Sequence, residues 1–293
     1  MVATIITFVT MLLIKPPQND LKVQYPRLQA AARQDRILIV APHIDDESIG
    51  AGGYAIDAMA NGADVYVVFI TAGDCNRFSA RLMNKTLGPT ASNYLSVGRT
   101  RISEAKKAMQ LLGIAPDHYF ILGYPDRGLR AMVDNPGAVV RSKGTRERSV
   151  PYDDAVSPGA TYSYQNLMAD MQRVIAIARP TTVIAPVPFD RHPDHSATAD
   201  ITDVALEGQR IQPSRLGYLV HTGRPKSLVR QTTRALMPPS RMQSFSWVTY
   251  ALSDRVMQTK NDVLMTYKSQ RPYVFLLRNA FVRRNELFFH YPQ

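Results

Sequence analysis

Two short apolar runs, each leading into a cluster of histidine and aspartate, restrict this 293-residue chain more than any other feature. Ile37-Leu38-Ile39-Val40 continues into Ala41-Pro42-His43-Ile44-Asp45-Asp46-Glu47. Thr182-Val183-Ile184-Ala185-Pro186 is followed by Asp190-Arg191-His192-Pro193-Asp194-His195. Unbroken aliphatic runs of this length fit strands buried on both faces of a parallel sheet. In open α/β sheets, active sites gather at the carboxyl ends of strands, and both clusters fall there.

Imidazole nitrogen and carboxylate oxygen suit Zn²⁺, and a catalytic zinc takes three protein ligands and keeps one position for water. His43 and Asp46, three residues apart on a turn entering a helix, can face one point, while Asp45 between them diverges. Asp45 is then a carboxylate beside the metal and free to act as a base. The second cluster supplies the third ligand, giving a His43, Asp46, His195 site that also accepts Fe²⁺, Co²⁺ or Mn²⁺. Either cluster alone is weak, since His-x-Asp-Asp arises by chance and a His-x-x-His pair often caps a helix. Their joint placement after strands is a stronger signal. Gly50-Ala51-Gly52-Gly53 lacks the third glycine of a dinucleotide fingerprint, and Asp45 to Glu47 would repel a pyrophosphate. These glycines read as packing residues at a helix start.

Alternation of elements follows the same logic. Strands are expected at 36–41, 63–71, 118–122, 182–186 and 216–221, with helices at 51–61, 95–112, 165–178 and 195–208. This β-α-β order predicts a mostly parallel sheet with helices on both faces. With 45% hydrophobic residues the chain can bury a full core. One catalytic domain is expected over 31–293, preceded by an apolar segment and linker at 1–30. Asp134 to Thr161, rich in Pro, Gly, Ser and charge, breaks the pattern and reads as a substrate lid or a structureless surface stretch. Further on, Ser253 to Tyr267 has a serine cap and helical spacing, and Tyr273 to Leu277 suggests a strand.

The net charge of +11 invites a nucleic-acid reading. No recognised nucleic-acid motif accompanies it, and the 14 Tyr and 10 Phe are scattered, so no nucleic-acid partner is expected. An anionic glycan or anionic membrane surface suits a basic face better. Met1 to Ile14 is an uncharged apolar run, short of the roughly 20 residues that span a bilayer. It resembles a signal-peptide core without a basic start, which favours a membrane-associated or extracytoplasmic location and leaves peripheral or anchored membrane contact open. A lone cysteine, Cys75, excludes an intramolecular disulfide and reads as a packed thiol near the site rim.

Together, the motifs His43-Ile44-Asp45-Asp46-Glu47 and His192-Pro193-Asp194-His195 resemble those of the PIG-L/LmbE family of zinc-dependent N-acetylglucosaminyl deacetylases. Arg101-Ile102-Ser103-Glu104-Ala105 and Leu122-Gly123-Tyr124-Pro125-Asp126-Arg127-Gly128-Leu129 are further matches, and the likeness runs from about Arg36 to His221. It implies a Rossmann-like three-layer α/β/α fold and removal of acetyl from an N-acetylated sugar or related amide by zinc-bound water. It implies Asp45 as general base, protonated His192 as oxyanion donor, and Asp194 as the group holding His192 in its tautomer. Arg101 is expected to reach the acetyl oxygen, with Glu104 anchoring it and a surface ion pair as the alternative. Asp126 and Arg127 follow a strand and are candidates for sugar hydroxyls, with a turn-stabilising salt bridge as the alternative. Asp74 and His221 are further substrate-binding candidates, and Trp247 could reach the pocket. Ile44 replaces the usual proline, and Asp190 stands where some members carry a tyrosine. A zinc hydrolase of another amide or ester, and a catalytically silent glycan-binding protein, stay open.

Overall fold

The structure is a computed structural model that describes residues 25–209, 211–222, 232–270 and 273–291. The apolar N-terminal run lies outside them. β1 (Arg36–Ala41), β2 (Asp64–Thr71) and β3 (Tyr119–Tyr124) lie on one side of the sheet, and β4 (Thr182–Pro186) and β5 (Ser214–Tyr218) on the other. β6 (Trp247–Ala251) and β7 (Asn285–His290) complete the seven-stranded order β3-β2-β1-β4-β5-β7-β6. The first five strands pair in parallel, and β7 runs antiparallel to both β5 and β6.

Why these runs become strands is visible in β1. Ile37, Ile39 and Ala41 enter one apolar cluster while Leu38 and Val40 enter another on the opposite face. A period of two with both faces buried leaves no room for polar residues until the strand ends. The first face is covered by α1 (Asp46–Ala60), α3 (Ala91–Leu112), α7 (Asp254–Leu264) and α8 (Tyr273–Phe281). The second is covered by α5 (Tyr164–Ala178) and α6 (Pro193–Glu207). The result is the expected three-layer α/β/α arrangement. Chain direction across the sheet reverses between β1 and β4, so the loops after these strands flank a topological switch point where a crevice forms.

Several boundaries differ from those read in the sequence. α1 begins at Asp46, five residues before 51, because the motif itself forms the first turn, where acidic Asp46 and Glu47 meet the positive end of the helix. Gly50 sits where an added Cβ would lie 2.5 Å from the Tyr218 ring, so the glycines do serve packing. Two short helices were not anticipated: α2 (Arg77–Met83), capped by Asn76 accepting from Ser79 N at 3.1 Å, and α4 (Leu129–Asp134). Tyr273 to Leu277 is helix, not strand. Short apolar runs do not distinguish the two, and the antiparallel pairing is made instead by β6 and β7.

The segment from Asp134 to Thr161 is laid along β3. Val156 N donates to Ile121 O at 2.8 Å, and Val150 and Tyr152 are buried in the two core clusters. A structureless surface stretch does not match this packing. Among the described residues no helix is long and apolar enough to cross a membrane.

Candidate metal centre and active site

The loop after β1 and the start of α1 place His43, Asp45 and Asp46 at the switch point, and the loop after β4 with the first turn of α6 adds His192, Asp194 and His195. One oxygen joins the clusters: Asp46 Oδ2 lies 3.1 Å from His43 Nδ1 and 3.1 Å from His195 Nε2. The two rings are 5.4 Å apart between centroids. Ligands held at 2.0–2.1 Å from a tetrahedral zinc are separated by about 3.3 Å, so the approach of Asp46 Oδ2 to each imidazole matches that of neighbouring ligands on one ion. His195 is fully buried, and neither of its ring nitrogens has a partner in hydrogen-bond geometry despite the nearby carboxylates. A buried imidazole whose nitrogens approach oxygens without aiming a proton at them fits a metal ligand. His192 and His221 stand close enough to join alternative sets, as His43-His192-His195 or Asp46-His195-His221.

Surrounding carboxylates dominate the electrostatics. Burial lowers the His43 pKa, but Asp126, Asp194 and Asp46 more than offset it and hold it well above its ordinary value. Likewise burial opposes, and Asp46 and Asp190 outweigh, so that His195 rises to about 9. Asp46 itself is pulled well below the usual range: burial raises it, and His195 and His43 overcome that. Two imidazoles enclosed by Asp46, Asp126, Asp190 and Asp194 form a donor set suited to a dication.

Asp45 diverges from the ligand trio as expected. Its carboxylate is buried, and burial drives its pKa up to about 7, Arg101 opposing and Asp46 and Glu47 adding to the rise. Its backbone takes φ 119°, a conformation rarely adopted by a non-glycine residue, and Asp45 N donates to Glu47 Oε2 at 3.1 Å. Glu47 Oε1 in turn accepts from Ser48 and Tyr267 hydroxyls. The motif glutamate thus fixes the turn that aims Asp45, a role the sequence reading missed.

Other expected roles change. Asp194, fully buried, turns its carboxylate toward His43 (Oδ2 to Nε2, 3.2 Å) and accepts Arg127 N and Leu129 N. It does not hold His192. Instead His192 Nδ1 accepts the Asp194 backbone N–H at 3.2 Å, which leaves the ring proton on Nε2. Burial, with His43 and His195, lowers the His192 pKa to about 4, against the expected imidazolium. Arg101 and Glu104 are both buried and make no surface ion pair. Arg101 donates to Gly73 O at 2.9 Å and to Ile44 O, clamping the loops after β1 and β2, while its guanidinium lies 3.5 Å from Asp45. Gly73, at φ +61°, is needed there because an added Cβ would meet the guanidinium at 2.4 Å. Glu104 does not anchor Arg101 but accepts from Ser269 N and Oγ.

Asp126 is buried at the lining of the cavity, lies 3.4 Å from His43 Nε2 and accepts from Cys75 N at 2.7 Å, so its carboxylate is shared between the cavity and His43. Arg127 is exposed on the cavity wall, where His221 and Cys75 also lie. Asp74 is fully buried beneath the site, receives the Tyr152 hydroxyl and does not line the cavity. Trp247 packs against Phe189 and Phe289, away from it. Asp190, treated in the sequence only as a missing tyrosine, lies 3.3 Å from His195 Nδ1 and accepts three backbone N–H groups from His192, Val220 and His221. Such a carboxylate behind a ligating histidine orients the ring. The cavity above the centre measures about 500 Å³, and part of its wall, Gln270, Leu276 and Leu277, comes from the tail.

A family model described as PIG-L, GlcNAc-PI de-N-acetylase, matches residues 38–206. The chain belongs to this family. A relative from Thermobispora bispora, named 1D-myo-inositol 2-acetamido-2-deoxy-alpha-D-glucopyranoside deacetylase, is 26% identical over 248 residues, covering 78% of this chain and 73% of its own. A Kribbella flavida protein of the same name is 31% identical over 165 residues, and there the chain spans half of the relative's length. Among solved structures, the PIG-L chain is similar to an N,N'-diacetylchitobiose deacetylase from Pyrococcus horikoshii, at TM-score 0.53 and 18% identity over 99% of this chain and 92% of that one. It is also similar to a zinc-inhibited form of a teicoplanin deacetylase, at TM-score 0.53 and 17% identity over 87% and 97%. These two likenesses concern the fold.

Proposed function

We propose that this PIG-L protein is a metal-dependent hydrolase that removes the acetyl group from an N-acetylated sugar of the N-acetylglucosamine type. The observation that carries the reading is the shared 3.1 Å approach of Asp46 Oδ2 to His43 and His195, at the floor of a cavity that also contains Asp45. Family membership and the names of the curated relatives supply the substrate class.

His43, Asp46 and His195 hold the ion, zinc being the assignment that suits their donor set. When bound, it would supply Lewis acidity that polarises an acyl oxygen and brings the pKa of water down to about 7. Asp45 accepts the proton of the attacking water, its carboxylate aimed by the Glu47 bond and kept near Arg101. His192, with its proton on Nε2, donates to the acyl oxygen as negative charge develops there. The proton held by Asp45 then passes to the leaving amine. Arg101 is a positioning residue, since its bonds to Ile44 and Gly73 fix the two loops that frame Asp45. Arg127 and His221 at the cavity wall contact the sugar.

The test is acetate release from a panel of N-acetylhexosamines and their short oligomers, with and without a chelator. Metal-restorable release from at least one sugar supports the reading, and release that survives exhaustive chelation contradicts it. Release only from non-sugar amides or esters would reassign the acyl specificity to the rival hydrolase.

A further inference from the structure

A second cavity, of about 390 Å³, is walled by Arg77 on α2, Thr90 and Tyr94 at the start of α3, and Lys143, Gly144 and Arg146 of the segment laid along β3. Among the described residues, no Asp or Glu lines it. Some basic side chains elsewhere are paired, as in Arg36 with Asp64 at 3.0 Å, Arg130 with Asp200 at 2.8 Å and Arg284 with Asp254 at 3.3 Å. Among the described residues, Arg77, Lys143 and Arg146 have no ion-pair or side-chain hydrogen-bond partner. Three unmatched cations around one concavity repel each other and focus a positive field into it.

The loop that presents two of these cations is ordered. Ser142 N donates to Glu147 O at 2.9 Å, Thr145 N to Ser142 Oγ at 3.1 Å, and Ser142 and Thr145 are buried. The cavity shares a wall with the metal pocket. Arg77 faces the basic cavity while its neighbours Asn76 and Phe78 line the metal pocket, and a Cβ on Gly144 would come within 3.3 Å of the Sγ of Cys75, which lines the metal pocket too. Arg127, with no partner shown for its side chain among the described residues, stands on the metal side of the same wall.

We propose that the basic cavity binds the anionic part of a glycan whose N-acetylated unit occupies the metal pocket, a carboxylate or phosphate on the neighbouring part of the same substrate. This rests on the deacetylase reading. A neutral sugar would leave the three cations uncompensated, whereas an anion crossing the Cys75 wall meets them in a loop already set in place. The basic residues of the segment from Asp134 to Thr161 are then specificity determinants.

The test uses the zinc-loaded full chain, Lys143→Gln/Arg146→Gln and, separately, Arg77→Gln. Acetate release is measured on neutral di-N-acetylchitobiose, on a hyaluronan tetrasaccharide as the carboxylate probe, and on an N-acetylglucosaminyl phosphodiester oligomer as the phosphate probe. The ratio of kcat/KM for an anionic to the neutral substrate should fall about tenfold in the double variant, with a flatter salt dependence. Which of the two anionic probes shows the loss identifies the ligand source. An unchanged ratio for both overturns the proposal. If no substrate releases acetate, the deacetylase reading fails by itself, and equilibrium binding of the two labelled anionic probes decides the site: weaker binding in the variants supports it, and equal binding overturns it.

Discussion

Asp194 faces His43 and not His192: its Oδ2 lies 3.2 Å from His43 Nε2, while its backbone N–H supports His192. A carboxylate in that place orients a metal ligand and strengthens its donor nitrogen. Asp194→Asn is therefore expected to weaken metal affinity about 10- to 100-fold, measured by chelator competition. With saturating metal, much of the activity should return. A variant with native metal affinity and a permanent loss of turnover would restore the triad role.

Asp45→Asn keeps the shape of the turn and removes the proton acceptor. Turnover is expected to fall by about 10² to 10⁴ while one metal per chain is retained, read by acetate release and elemental analysis on the same sample. Turnover within a few-fold of the parent would exclude Asp45 as the base.

The sequence showed those parts of the fold and site in which local pattern and tertiary environment agree. β1 and β4 are buried on both faces, so their composition is nearly independent of detail, and the polar residues that end them mark the crevice. Asp194 was misassigned because its partners, Arg127 N and Leu129 N, come from a distant loop that pulls the carboxylate away from His192. Glu47 and Asp190 escaped notice for a related reason. Each acts through backbone groups, Glu47 on Asp45 N and Asp190 on His192 N and on Val220 N and His221 N of the loop after β5, and a carboxylate's hydrogen bond to an amide leaves no compositional trace. The contribution of Gln270 and Leu277 was illegible, since docking of the tail depends on long-range contacts such as Ser269 with Glu104.

Asp74 links stability to pH. Burial, with the nearby Asp126 charge, raises its carboxyl pKa to about 7, although the Tyr152 hydroxyl opposes this. A folded-state value above the unfolded value near 3.9 gives stability that is fully present below about pH 4 and lost as pH rises through 7. The loss is at most about 4 kcal/mol by linkage. Asp74→Asn cannot titrate, so its stability relative to the parent should improve steadily between about pH 4 and pH 7 in urea denaturation. A flat difference over that window would show that Asp74 stays ionised.

Lys260 and Glu286 form a buried ion pair at 2.5 Å that ties α7 and β7 to α1. Lys260 donates to Ile49 O, and Glu286 accepts from Gly53 N and Tyr54 N. Lys260→Met leaves Glu286 buried without its cation and should cost about 3–5 kcal/mol. Lys260→Met/Glu286→Gln should recover part of that loss in the same denaturation assay. A single variant as stable as the parent would mean that water reaches the pair.

The most direct measurement is metal stoichiometry after dialysis, compared among the parent chain, His43→Ala, His195→Ala and Asp45→Asn. One divalent ion per chain is expected in the parent and in Asp45→Asn, and close to none in either histidine variant, with each variant's fold checked by circular dichroism. Folded His43→Ala or His195→Ala protein that keeps a full equivalent of metal would contradict a centre shared by the two motifs.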